Sequence, residues 1–186
     1  MKASDSVLIV VDVQNGFVSS RSAHIVPAVA DLVERWSGQG LPYVMSRFHN
    51  STGSPFETLI QWTRMQEAPE TDIVDELAAA VPGALAVIDK SHYSSFTDEL
   101  VQLQREHGWT NIVVAGIATE SCVLKTAVDA FEANLTPWIV TDASYSHAGE
   151  EAHEAGLLVA RRFIGRGQLI TSSQLMEMTR GQQLSA

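Results

Sequence analysis

Cysteine is almost missing from this sequence: Cys122 is the single one in 186 residues. One thiol excludes an internal disulfide framework and leaves a lone small hydrophobe or a reactive group as its possible roles. Basic residues are also scarce. Twelve Lys and Arg stand against 22 Asp and Glu, a formal net charge of −10, which argues against a polyanionic partner, so no nucleic acid is expected. No apolar run reaches membrane-spanning length, and the one in "MKASDSVLIVVDVQ" is too short for a secretory signal core and is broken by Asp12. The expectation is a cytoplasmic protein with no membrane contact and a small molecule as its partner. Phosphate-cradling loops are lacking as well. No G-x-G-x-x-G follows the first apolar run, no G-x-x-x-x-G-K-[ST] occurs, and "GRG" at 165–167 is too short to count; no cofactor is expected. Without repeats, low-complexity tracts or linkers, and with 45% hydrophobic residues, the chain reads as one domain over 1–186.

What is present is alternation. Short β-branched runs are predicted as strands over 6–11, 42–47, 85–89, 111–116 and 136–142. Between and after them, helical spacing predicts helices over 25–39, 98–107, 121–133 and 150–162, with further short elements from Gln168. The segment "FHNSTGSPFETLIQWTRMQEAPETD" is too long and too punctuated for an ordinary connection and is read as a functional excursion. The pattern implies a three-layer, Rossmann-like α/β fold: a mostly parallel sheet with helices on both faces and right-handed crossovers.

Open parallel sheets bind at the carboxyl ends of their strands. Three reactive residues fall at such ends: Asp12 closes "VLIVVD", Lys90 follows "LAVID", and Cys122 follows "NIVVAGIATES". Each alone has an ordinary explanation, as a turn residue, a solvated charge or a buried small side chain. An acid, a cation and a thiol converging on one rim are much harder to obtain by accident.

These residues, with "LIVVDVQNGF", "VIDKSHYSSF", "VVAGIATESCVLKTAVDAFEANL" and "VTDASYSH" around them, resemble the isochorismatase-like cysteine hydrolases over nearly the whole chain. The resemblance implies an Asp12–Lys90–Cys122 triad, a non-proline cis peptide between Ile117 and Ala118, and an oxyanion hole made by the N–H groups of Ala118 and Cys122. It implies hydrolysis of a C–N bond in a small amide or carbamoyl-type substrate through a thioester. An enol-ether hydrolase and a non-catalytic metabolite-binding module of the same fold stay open as alternatives. A helix N-terminus and Lys90 are both expected to favour the Cys122 thiolate.

Flanking the triad segments or lying in the excursion, Phe17, Arg47, Trp62, Tyr93, Phe96 and Thr119 are the expected substrate-binding residues. Aromatic walls and the Arg47 cation suggest a small planar or carboxylated ligand. Nicotinamidase-like members of the resembled family carry an Asp and two His metal ligands after the second strand. Aligned on "YVMSR", Phe48 stands at the Asp position and Asn50 at the first His, while His49 is out of register and His92 is isolated. No metal is expected. Residues 154–165, "EAGLLVARRFIG", and the surroundings of Trp62 promise more apolar surface than one domain covers, so a homo-oligomer is expected.

Overall fold

The computed structural model describes residues 1–183, so the last three positions of the expected domain lie outside the described residues. Six strands form one sheet: β1 (Ser6–Val11), β2 (Tyr43–Phe48), β3 (Ala86–Lys90), β4 (Asn111–Ile117), β5 (Thr136–Tyr145) and β6 (Leu169–Ile170). Their order is β3-β2-β1-β4-β5-β6, and every pairing is parallel. The central strands β1 and β4 are buried along their whole length. That explains why "SVLIVV" and "NIVVAGI" are apolar runs without alternation, since helices cover both faces of the sheet.

Helices α1 (Ile25–Ser37) and α7 (Ser172–Gln183) lie on one face, where Leu32, Trp36, Met45, Leu175 and Met176 form the core. On the other face α4 (Asp98–His107), α5 (Leu124–Glu132) and α6 (Glu150–Phe163) enclose Leu100, Trp109, Val123, Ala127, Ala130 and Ala160. Local signals set the ends. In α1, Ile25, Val29, Leu32, Val33 and Trp36 recur on one buried stripe. The Thr97 hydroxyl caps α4 by accepting from Leu100 N–H at 3.3 Å, two acids occupy its first turn, and Gly108 closes it at φ +66°. The excursion contains two short helical turns, α2 (Pro55–Thr58) and α3 (Asp75–Ala78). Among the described residues no helix is long and apolar enough to cross a membrane.

In this strand order the chain reverses direction of build between β1 and β4. A crevice therefore opens at the carboxyl ends of those two strands. The two are drawn tightly together there: Gly116, at φ +124°, pairs with Val11, and a β-carbon on it would lie 2.2 Å from the Val11 carbonyl oxygen. Only glycine permits that approach.

Candidate active site

Asp12 immediately follows β1, at φ +50° and with no solvent exposure. Its Oδ2 accepts from Lys90 Nζ at 2.6 Å, and its Oδ1 accepts from Ser46 Oγ at 2.7 Å; Ser95 Oγ donates in turn to Ser46 Oγ at 3.1 Å. Lys90 ends β3, two strands away in the sheet, and its ammonium donates also to the carbonyls of His92, at 3.1 Å, and Tyr93, at 3.0 Å. All three ammonium protons are thus placed, and both charged side chains are fully buried. Such a pair tolerates burial because every polar atom is partnered.

Cys122 lies in a π turn, Thr119–Val123, between β4 and α5. The Ile117–Ala118 peptide bond that leads into this turn is cis, and the Ala118 carbonyl accepts from the N–H groups of Ser121 and Val123, each at 3.1 Å. Helix α6 fixes the turn from outside: Thr119 Oγ1 bonds to His153 Nδ1 at 2.8 Å, and Gly156 backs directly on Glu120. Cys122 is almost fully buried, and burial is the main influence pushing its thiol well above the ordinary cysteine range. The negative charge of Asp12 adds to that, while Lys90 pulls the other way. This corrects the expected resting thiolate. Lys90 is already neutralised by Asp12, and Cys122 precedes the first residue of α5, Leu124, by two positions.

A cavity of about 270 Å³ opens above the thiol. Cys122, Ser121 and Glu120 form one side; the rings of Phe17, Phe48, Phe56, Trp62 and Tyr93, with Ile60 and His147, form the rest. Trp62 stacks on Phe17 with ring centroids 5.9 Å apart, and Phe56 meets both Phe48 and Tyr93 edge-on at 4.9 and 5.1 Å. His147 stands at the mouth with its ring 5.4 Å from that of Phe17. Loss of solvation lowers its imidazole below the usual histidine value, against the pull of Glu120.

The excursion is held in place at its neck. Gln14, fully buried just after Asp12, donates from Nε2 to the carbonyls of Phe48 (3.0 Å) and Thr71 (2.7 Å) and accepts from Phe48 N–H at 2.7 Å. Asn50 donates to the carbonyls of Trp62 and Arg64 at 3.0 and 3.1 Å, which points the intervening Phe56 and Trp62 inward.

Of the six expected substrate-binding residues, Phe17, Trp62 and Tyr93 line the cavity and three do not. Arg47 makes a two-pronged bond to Asp89 at 2.8 and 3.0 Å, because β alternation turns it away from the face shared by Ser46 and Phe48. Phe96 packs into the core beside α4 and α5. Thr119 is fully buried and turned towards His153. The cation expected in the binding site is therefore absent from the lining, and the expectation of a carboxylated ligand loses its support. Missing from the expectation were Ser46, Phe48, Phe56, Ile60, Glu120, Ser121 and His147. Two signals pointed to some of them: Glu120 and Ser121 directly precede the thiol, and His147 follows "VTDASYS", the strand next to the one that leads to Cys122.

The aligned metal positions hold no ligand set. Phe48 is a cavity wall, Asn50 is committed to the loop, and His49 Nε2 lies 3.1 Å from Asp89 beside Arg47. Among the described residues no three His, Cys, Asp or Glu side chains are grouped as metal ligands. The residues present do not fit such a metal.

Residues 6–174 match the isochorismatase domain family. The chain is 27% identical to nicotinamidase 3 of Arabidopsis thaliana, over 82% of this chain and 79% of that protein. It is 28% identical to the ureidoacrylate amidohydrolase RutB of Stutzerimonas stutzeri, over 89% of this chain and 79% of the relative. Among solved structures, an isochorismatase-like hydrolase from Alkaliphilus metalliredigens superimposes with a TM-score of 0.80 at 22% identity, covering 93% of this chain and 98% of that one.

Proposed function

Because this chain belongs to the isochorismatase family, we propose that it is a cysteine-dependent amidohydrolase acting on the C–N bond of a small amide or carbamoyl-type substrate. The observation that carries the reading is the fully buried Asp12–Lys90 pair, at 2.6 Å, set beside the Cys122 thiol at the base of an aromatic-lined cavity. The relatives named nicotinamidase and ureidoacrylate amidohydrolase support the choice of an amide.

The chemistry follows from the charges. Asp12 takes the thiol proton as sulfur attacks the substrate carbonyl carbon, forming the C–S bond and placing the electron pair on oxygen. The N–H groups of Ala118 and Cys122 stabilise that oxyanion. Asp12 then returns the proton to the amide nitrogen, the C–N bond breaks, and ammonia or an amine leaves behind a thioester. Water attacks the thioester carbonyl while giving a proton to Asp12. The C–S bond breaks, the acid is released, and the thiolate recovers its proton from Asp12. Lys90 offsets the sulfur anion whenever it forms. Ser46 and Ser95 hold the carboxylate in place.

Cys122→Ala tests this. Release of ammonia or amine from any amide that the native protein hydrolyses should vanish, with circular dichroism unchanged. Substantial turnover in the variant would remove Cys122 as the nucleophile.

A further inference from the structure

A second histidine stands behind the nucleophile turn. Thr119, the first residue of the turn, is fully buried, and its Oγ1 lies 2.8 Å from Nδ1 of the buried His153 on α6; neither residue lines the cavity. A buried hydroxyl needs a partner, and among the described residues this is the bond that the Thr119 hydroxyl makes.

The bond closes a ring of contacts around Ala118. Ile117, on one side of it, pairs in the sheet with Tyr145 of β5. The Tyr145 ring stacks on the His153 ring with centroids 4.7 Å apart and meets His24 edge-on at 4.4 Å. His153 in turn holds Thr119, the residue on the other side of Ala118. Gly156, three residues along α6 on the same side as His153, lets the helix come this close: a β-carbon there would lie 2.7 Å from the Glu120 backbone. Both neighbours of Ala118 are thereby fixed through one pair of rings, and its N–H loses its freedom with them. Burial lowers the His153 imidazole below the usual histidine range, against the pull of Glu154, Glu120 and Glu150, so the ring is uncharged at neutral pH. It fixes position and adds no field at the sulfur.

We infer that His153 is a positioning residue for the reaction proposed above, on which this inference rests: through Thr119 it aims the Ala118 N–H at the oxyanion that forms over Cys122. Such donors act only where they point at the developing charge. A displacement of about 1 Å at a reacting centre can cost about 100-fold.

Benzaldehyde reads the donors without turnover. The Cys122 thiol adds across its carbonyl: the C–S bond forms, the π pair goes to oxygen and takes up the thiol proton, and that oxygen occupies the oxyanion position. Loss of the conjugated carbonyl absorbance on titration gives the affinity, with Cys122→Ala as the blank. Iodoacetamide is attacked at a methylene carbon, forms no oxyanion and reads the sulfur alone. His153→Phe keeps a ring on Tyr145 and removes the nitrogen; it should weaken the aldehyde about 10- to 100-fold and leave alkylation within about twofold of native. His153→Asn returns a polar atom close to the Nδ1 position and should recover the aldehyde affinity to within about threefold. Thr119→Val cuts the same bond from its other end and should match His153→Phe, and the two together should lose no more than either alone. Native aldehyde affinity in both single variants, no recovery with Asn, a parallel fall in alkylation, or no aldehyde adduct on the native protein would each overturn the inference. If the Phe variant does not fold, Thr119→Val and His153→Asn decide. Turnover retained by Cys122→Ala would defeat the proposed chemistry and leave the aldehyde series to judge the Ala118 donor.

Discussion

Asp12 and Lys90 should have opposite effects on the reactivity of Cys122 although loss of either should abolish hydrolysis. Asp12 keeps the thiol protonated by its charge and hydrogen bonding, and Lys90 opposes it. One unit charge about 5 Å away, at an effective dielectric constant near 20, is worth about 3 kcal/mol, or roughly 2 pKa units. Asp12→Asn therefore lowers the thiol pKa by about that amount and raises the thiolate fraction about 100-fold at pH 7.5. Part of the gain is returned because a less basic thiolate is a weaker nucleophile, which leaves roughly 10- to 16-fold faster alkylation by iodoacetamide. Lys90→Met moves the thiol the other way and slows alkylation below the native rate. The native rate itself should lie below that of free cysteine at neutral pH and climb steadily as pH rises, since the thiol titrates above the ordinary range. Iodide leaves without a proton and an amine does not, so alkylation reports the field at sulfur while turnover also needs proton delivery from Asp12. The assay is iodoacetamide incorporation followed by mass spectrometry, and with a single cysteine every adduct is on Cys122. Native alkylation faster than free cysteine below pH 7, or an Asp12→Asn variant slower than native, would refute the electrostatic reasoning.

Other consequences are simpler to test. Gly156→Ala would put a methyl group 2.7 Å from the backbone of Glu120; overpacking of about 1–3 kcal/mol should exceed the helix-propensity gain, so chemical denaturation should show a net loss and turnover should fall as the nucleophile turn shifts. Hydrolysis should survive exhaustive chelation, since Phe48 and Asn50 occupy the aligned ligand positions; one equivalent of bound zinc, iron or manganese whose removal abolishes activity would contradict that. Leu59, Ile60, Leu158 and Phe163 are all more than half exposed, and sedimentation should give a dimer or larger; a 20.2 kDa species alone at micromolar concentration would refute an assembly.

Strands buried on both faces announce themselves as apolar runs, and for that reason β1 and β4 were legible with the residues that end them. The expected end of β5 at 142 fell short of Tyr145. Ser144 lay beyond the expected end, yet a register shift opposite Val114 and Gly116 carries the strand onward, and Asp142 turns to accept from Ser172 N–H at 2.7 Å. The helix expected from Ser121 begins at Leu124, because the π turn before it leaves the same apolar spacing as a helix would. Period-two alternation already separates Arg47 from Ser46 and Phe48; proximity along the chain suggested a site residue where side-chain direction excludes one. Phe56 and Ile60 reach the cavity only through the folded path of the excursion, which no spacing in the sequence encodes, whereas Glu120 and His147 lie beside the thiol and after the strand next to the one that leads to it.

The Gln14 clamp makes the excursion separable from the chemistry. One side chain, two residues beyond Asp12, grips both the departing and the returning strand of the loop, at Phe48 and Thr71. Everything distal to that grip can be rewritten while the acid, the lysine and the thiol stay in register, since they are seated on β1, β3 and the turn after β4. Loop-closure entropy grows only slowly with length, so residues 51–64 form an exchangeable cassette: a longer or more polar version alters what the cavity admits and leaves untouched the machinery that cuts it.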